Sequence, residues 1–260
     1  MHRFHISFIG AGRVGSILCR QLYDAGYKID LVVSRTEKSG KALAEATSSE
    51  WSRNYVIPKT TDIVIVSVPD NSIESVLDGL KVADQTIIAH TAGSYGLDIF
   101  PSGITKKGVF YPLQTFTEGR LINLNEVPFL LESDDQLTEK TLSEVASSLS
   151  RNVYFMDAER RRKLHLAAVF LCNFTNHMFT AGSEILREAD FDFNMMKPLI
   201  DETISKALEI GPSNSQTGPA FRNDKITLRK HLAMLKGNRV LRDLYEAVSI
   251  SIINYYLQIK

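Results

Sequence analysis

The chain has 260 residues, long enough for two domains, with 44% apolar and 23% charged residues, the balance of an ordinary soluble globular protein. Thirty basic and thirty acidic residues cancel to zero net charge, which removes the electrostatic case for nucleic acid or an anionic membrane. Two cysteines, Cys19 and Cys172, make no disulfide framework and point to a reducing cytoplasm, and no apolar run reaches the roughly 20 residues of a membrane helix.

In chain order, Phe4–Ile9 reads as a buried strand opening directly from the N-terminus, without room for a signal peptide, and Arg13–Ala25 as the helix after it. Lys28–Ser34 and Thr36–Ala46 read as the next strand and helix. Asp62–Val68 (DIVIVSV) is a β-branched run of the kind buried on both faces of a parallel sheet. The pattern then predicts a helix over Asn71–Leu80 and strands at Thr86–His90, Val109–Tyr111 and Phe129–Glu132. A helix at Gln136–Leu149 and a closing strand at Asn152–Met156 complete the first half. Alternating strands and helices imply an open α/β Rossmann-type sheet with right-handed crossovers. After a boundary near Asp157 the period becomes helical, over Ala158–Arg187, Met195–Ile210, Ile226–Lys236 and Arg239–Gln258, with a loop at Gly211–Asp224. The expected organisation is a dinucleotide-binding domain at 1–157 and an all-α substrate and dimerisation domain at 158–260.

Gly10-Ala-Gly12-Arg13-Val14-Gly15 is a GxGxxG motif that follows a strand and opens a helix, the context dinucleotide binding needs. Gly10 permits the tight turn, Gly12 leaves room for a pyrophosphate, and Gly15 lets helix and strand approach. The helix N-terminus, with Arg13 and Val14, offers free N–H groups and positive dipole to the phosphates. An NAD enzyme usually ends its second strand on an acid that accepts from the ribose 2′-OH. Here Ser34-Arg35-Thr36 stands instead, so Arg35 can pair with a 2′-phosphate while Ser34 and Thr36 donate to it, and NADP is the expected cofactor. Ser34-Arg-Thr-Glu37 also fits a helix capping box.

Val68-Pro69 at the end of the DIVIVSV strand marks the edge the cofactor crosses, although Pro69 also suits the start of a helix. His90 and Thr91 end the next strand beside the expected cofactor path, with Ser94 and Gln114 as polar groups for a small substrate. A lone His at a strand end is more often a satisfied hydrogen-bonding residue than an acid or base. In the helical half His165 and Asn173 are eight residues apart, about 12 Å along a helix and about 80° around it, so both can border one elongated cleft. The apolar neighbours Leu164, Leu166, Ala167 and Ala168 would desolvate the His165 ring. Arg222 can reach a carboxylate or phosphate, or pair with Asp224. No metal-ligand pattern is present.

GAGRVG, DIVIVSVPD, HTAGS, YPLQTF, KLHLAAVFLCN and TGPAFRND occur in that order over nearly the whole chain. The series resembles the bacterial Rossmann-like oxidoreductases with a C-terminal domain of unknown function, relatives of pyrroline-5-carboxylate reductase and of the deazaflavin-dependent NADP reductases. The resemblance implies a helical domain similar to that of 6-phosphogluconate dehydrogenase, a homodimer, and an active site between domains; it supplies no substrate. Relatives often have His where Tyr111 stands and Gly where Asn223 stands, and the wider group's catalytic Lys falls on Val169. That departure makes His165, with Asn173, the better catalytic candidate. The leading reading is an NADP-dependent reductase or dehydrogenase of a small polar substrate; the other is an NADP-binding regulatory or structural dimer without turnover.

Overall fold

The computed structural model describes residues 4–117, 119–120 and 122–258. Its first part is an eight-stranded sheet in the order β3-β2-β1-β4-β5-β6-β7-β8. The strands are β1 His5–Ile9, β2 Lys28–Val33, β3 Glu50–Ser52, β4 Ile63–Val66, β5 Ile87–His90, β6 Lys107–Pro112, β7 Phe129–Ser133 and β8 Val153–Phe155. Helices α1 (Arg13–Asp24), α2 (Glu37–Ala46), α3 (Ile73–Asp78) and α4 (Gln136–Ser147) cover its faces. β3, a short edge strand with Glu50 and Ser52 flanking Trp51, is additional to the strands expected from the apolar pattern.

Every neighbouring pair is parallel except β6 and β7, which run antiparallel from Gly108↔Ser133 to Pro112↔Phe129. A parallel return needs a crossover, usually helical. The 113–128 connection has only the 3₁₀ turn Leu124–Glu126 among its described residues, so the chain turns back instead.

Alternation along β4 divides the core. Ile63 and Ile65 join Leu18, Leu22, Leu43 and Leu142 on the face covered by α1, α2 and α4. Val64 and Val66 join Ile73, Val76 and Leu77 on the face covered by α3. Successive strand side chains point to opposite faces, so a run apolar at every position is what two covered faces require.

The change from strands to helices falls after β8, where Asp157 caps α5 (Ala158–Ala168) by accepting from the Arg160 amide at 2.8 Å. The compact units divide later, at Asn173/Phe174, so α5 belongs with the sheet. Arg161 holds it there. Its guanidinium is fully buried and donates to the Glu132 carboxylate on β7 and to the Tyr95 carbonyl.

The expected single helix over Ala158–Arg187 is interrupted by a π-helical turn at Val169–Phe174, before α6 (Thr175–Glu188) resumes. The wider π turn breaks the 100° step, so the 80° offset calculated for His165 and Asn173 does not hold.

The second unit contains α6, α7 (Lys197–Ile210), α8 (Pro212–Ser215), α9 (Lys225–Met234) and α10 (Arg239–Gln258). Asp224 caps α9 by accepting from the Thr227 amide at 3.1 Å. Asn223 beside it has φ of +54°, a left-handed conformation that Asn tolerates and Gly adopts freely. Ala220 and Leu241 are the only buried apolar residues among the described residues of this unit.

Candidate functional site

The turn after β1 shows where glycine is required. Gly10 has φ of +109°, and a Cβ there would lie 2.0 Å from the Ser67 carbonyl oxygen. A Cβ at Gly15 would lie 2.2 Å from the Gly10 carbonyl oxygen, so α1 packs directly on the turn. A Cβ at Gly12 would meet nothing within 4 Å. Gly12 instead borders a cavity of about 990 Å³ that runs along the carboxyl ends of β1, β2 and β4. Gly12 is also the N-cap of α1, with no side-chain cap and no acid in the first turn. The free helix end therefore points its donors and positive dipole into open space.

Among the described residues the charged side chains lining the cavity are all cations, Arg13, Arg20, Arg35 and Arg120, and no described Asp or Glu lines it. None of the four makes an ion pair among the described residues. Arg13 and Arg20 lie seven residues apart on α1, two turns along one face. This fits a dinucleotide with an extra phosphate: a cradle without side chains, uncapped amides, and cations where an NAD site keeps a carboxylate.

Most of the expected cofactor residues border this space, namely Gly10, Gly12, Arg13, Ser34, Arg35, Thr36, Val68 and Pro69. Val14 does not; its side chain packs on the core beneath the turn. Ser34 lines the wall but cannot donate to a ligand as expected. Its hydroxyl proton goes to the Thr36 carbonyl at 2.9 Å, and its oxygen accepts from Trp51 Nε1 at 3.0 Å. The capping box does not form either: Thr36, not Ser34, caps α2, and its side chain makes no cap bond. Arg20, Arg120 and Tyr55 complete the wall, without a local motif to mark them.

His90 is corrected to a core residue. Its ring is fully buried, stacks on Phe100 at 5.4 Å between centroids, bonds the Gly96 carbonyl through Nε2 at 3.3 Å, and accepts the Ala92 amide at Nδ1. Burial pushes its pKa down to about 4, against a weaker opposing effect of the Gly96 carbonyl. Neither His90 nor Thr91 borders the cavity; Thr91 donates to Ser67 Oγ at 3.2 Å, tying β4 to β5. Ser94 is bound to the Asp70 carboxylate, and the Gln114 side chain turns back to the Thr115 amide at 2.7 Å.

His165 lies on α5 with its Nδ1 2.9 Å from the Tyr111 hydroxyl at the end of β6. Both rings press on Gly93, just past β5: a Cβ there would be 2.8 Å from His165 Nδ1 and 2.9 Å from Tyr111 Cζ. Leu164 and Leu166 beside it are 40% and 57% exposed, so these apolar neighbours point outward instead of burying the ring. Asn173 is exposed on the π turn. Arg222 is exposed in the second unit, where its charge adds slightly to the hydrogen bonds from Thr227 that lower the Asp224 pKa. Among the described residues no group of His, Cys, Asp or Glu could hold a metal ion, and no helix is long and apolar enough to cross a membrane.

The profile described as "NADP oxidoreductase coenzyme F420-dependent" matches residues 5–93, and the "Domain of unknown function (DUF2520)" matches residues 127–252. Protein BF3122 of Bacteroides fragilis, an NADP oxidoreductase by name, is 37% identical over 97% of this chain and 98% of its own, with a TM-score of 0.89. An imine reductase from Myxococcus stipitatus, solved with NADP+, covers 98% of this chain and 94% of its own at 18% identity and a TM-score of 0.72. A reductive aminase from Aspergillus terreus, solved with NADPH, covers 98% and 100% at 13% identity, also with a TM-score of 0.72. The last two share the fold. No curated protein matches the sequence. With the arginine-lined cradle and the resemblance over the full length, the chain belongs to the family of NADP oxidoreductases that carry this N-terminal domain ahead of DUF2520.

Proposed function

We propose that this NADP oxidoreductase reduces a C=O or C=N bond of a small polar substrate, with His165 supplying a proton to the substrate heteroatom. NADPH, when bound, supplies the hydride. The residues of the chain bind it, orient its reactive end beyond Val68 and Pro69, and deliver the proton. The observation that carries this reading is the His165–Tyr111 pair, seated on Gly93 at the carboxyl edge of the sheet, where ligands of such sheets bind. Two proteins of the same fold are by name an imine reductase and a reductive aminase, which is why C=N is included.

The test is a panel of small aldehydes, ketones and aldehyde–amine pairs, with NADPH consumption followed by absorbance. With any accepted substrate, His165→Gln should lower kcat by roughly a hundredfold or more, the range of general acid catalysis, while NADPH affinity and Tm hold. NADPH binding without consumption across the panel would favour a regulatory binding protein.

We also propose a homodimer formed through the helical unit. Among the described residues of this unit only Ala220 and Leu241 are buried apolar side chains, while Leu208, Met234 and Val240 stand 81%, 80% and 73% exposed. Surfaces of that kind on a helical bundle mark association.

A further inference from the structure

We infer that Tyr111 and His165 act as one donor chain, in which the Tyr111 hydroxyl donates to His165 Nδ1 and keeps the imidazole proton on Nε2 for the substrate. The inference rests on the reading of His165 as the proton donor and assigns Tyr111 as its positioning residue.

The geometry is specific. The hydroxyl and Nδ1 are 2.9 Å apart, and the rings meet edge to face with centroids 5.9 Å apart. Any side chain at position 93 would collide with both, so glycine there is what admits the pair to the sheet edge. The direction of the bond follows from the surroundings. Burial, and then the Asp70 carboxylate, push the Tyr111 pKa up to about 12, against the opposing charge of Arg161. The phenol therefore keeps its proton at neutral pH and needs an acceptor. The neighbouring Asp70 carboxylate accepts from Ser94 and makes no hydrogen bond with the hydroxyl among the described residues, and Arg161, which has only donors, is directed to Glu132 and the Tyr95 carbonyl. The bond to Nδ1 is the only one the hydroxyl makes among the described residues. A neutral imidazole that accepts at Nδ1 carries its proton on Nε2. Nε2 makes no hydrogen bond among the described residues.

The proton balance closes. As hydride adds to the substrate carbon, the heteroatom takes the proton of Nε2 and Nδ1 takes the hydroxyl proton of Tyr111. Solvent then protonates Nε2, and Nδ1 hands its proton back to the phenolate, which restores the starting tautomer.

The experiment uses the full-length protein labelled with ¹⁵N-histidine, with and without NADP+. The His165 signals are assigned by their loss in His165→Gln, and the two ring nitrogens report the tautomer directly. We expect the Nε2–H form in the unmodified protein, and its replacement by a mixture of tautomers in Tyr111→Phe. On any accepted substrate, Tyr111→Phe should lower kcat at least tenfold with NADPH affinity unchanged. An Nδ1–H form in the unmodified protein overturns the inference, as does the same spectrum in Tyr111→Phe. If Tyr111→Phe fails to fold, the spectrum of the unmodified protein decides alone. Normal turnover by His165→Gln would instead sink the donor reading underneath, an outcome separate from the tautomer.

Discussion

Replacing Gly12 by alanine should separate cofactor binding from folding. The backbone of Gly12, at φ −82° and ψ −171°, is open to alanine, and the new methyl meets no protein atom within 4 Å. Alanine gains about 0.4–1 kcal/mol by restricting the unfolded chain. It loses a similar amount, up to about 1 kcal/mol, because glycine is the better N-cap. The two effects nearly cancel, so Tm should move by no more than a few degrees. The methyl does, however, enter the cavity at the uncapped end of α1. Pushing a pyrophosphate away from those amides sacrifices charge-assisted hydrogen bonds of about 1.5–3 kcal/mol each. Losing one of them corresponds to roughly ten- to hundredfold weaker binding. Calorimetric titration of NADPH into both proteins, alongside thermal melts, measures the two effects separately. Unchanged affinity in a folded Gly12→Ala protein would refute the placement of the phosphates. Gly15→Ala is the contrast: its Cβ would stand 2.2 Å from a backbone oxygen that cannot move aside, and more than about 3 kcal/mol of stability should go.

Arg35→Ala should weaken NADPH more than NADH, because Arg35 lines the cavity beside the unengaged Thr36 side chain; equal losses for both cofactors would remove Arg35 from 2′-phosphate recognition. His90 predicts an acid weakness. Its folded pKa of about 4 lies below the ordinary 6.5, so the unfolded chain binds a proton that the folded chain refuses. The stability present above pH 6.5 should therefore fall as pH drops towards 4, by on the order of 3 kcal/mol, and denaturant melts of His90→Gln should lack that component. Light scattering should report twice the 29.1 kDa chain mass, and a monomer at high concentration would defeat the proposed association.

The nucleotide half of the site was legible because its logic is local. A strand, three spaced glycines and a helix are contiguous; Gly10 and Gly15 met the steric demand their spacing implied, and Gly12 opens on the cavity. The missing acid after β2 was equally local. What stayed hidden depends on distant partners. The strand end gave no sign of which way His90 points, since Gly96 and Phe100 decide that. Ser34 is spoken for by Trp51, seventeen residues on. Tyr111 and His165 lie 54 residues apart, and nothing in either segment signals that Gly93 leaves room for both. The π turn was invisible because a reading by helical period assumes the period is kept.

The unfinished ends of α1 and α2 would couple the stability of this protein to its cofactor. Gly12 and Thr36 both begin helices without a side-chain cap, and both border the same cavity. A dinucleotide lying there would complete two helices at once, and only in the folded chain. At a hundred times its dissociation constant such a ligand adds about 2.7 kcal/mol. Thermal melts with and without NADPH should therefore differ by the corresponding few degrees, and the two helix starts should be the segments whose amide exchange slows most on binding.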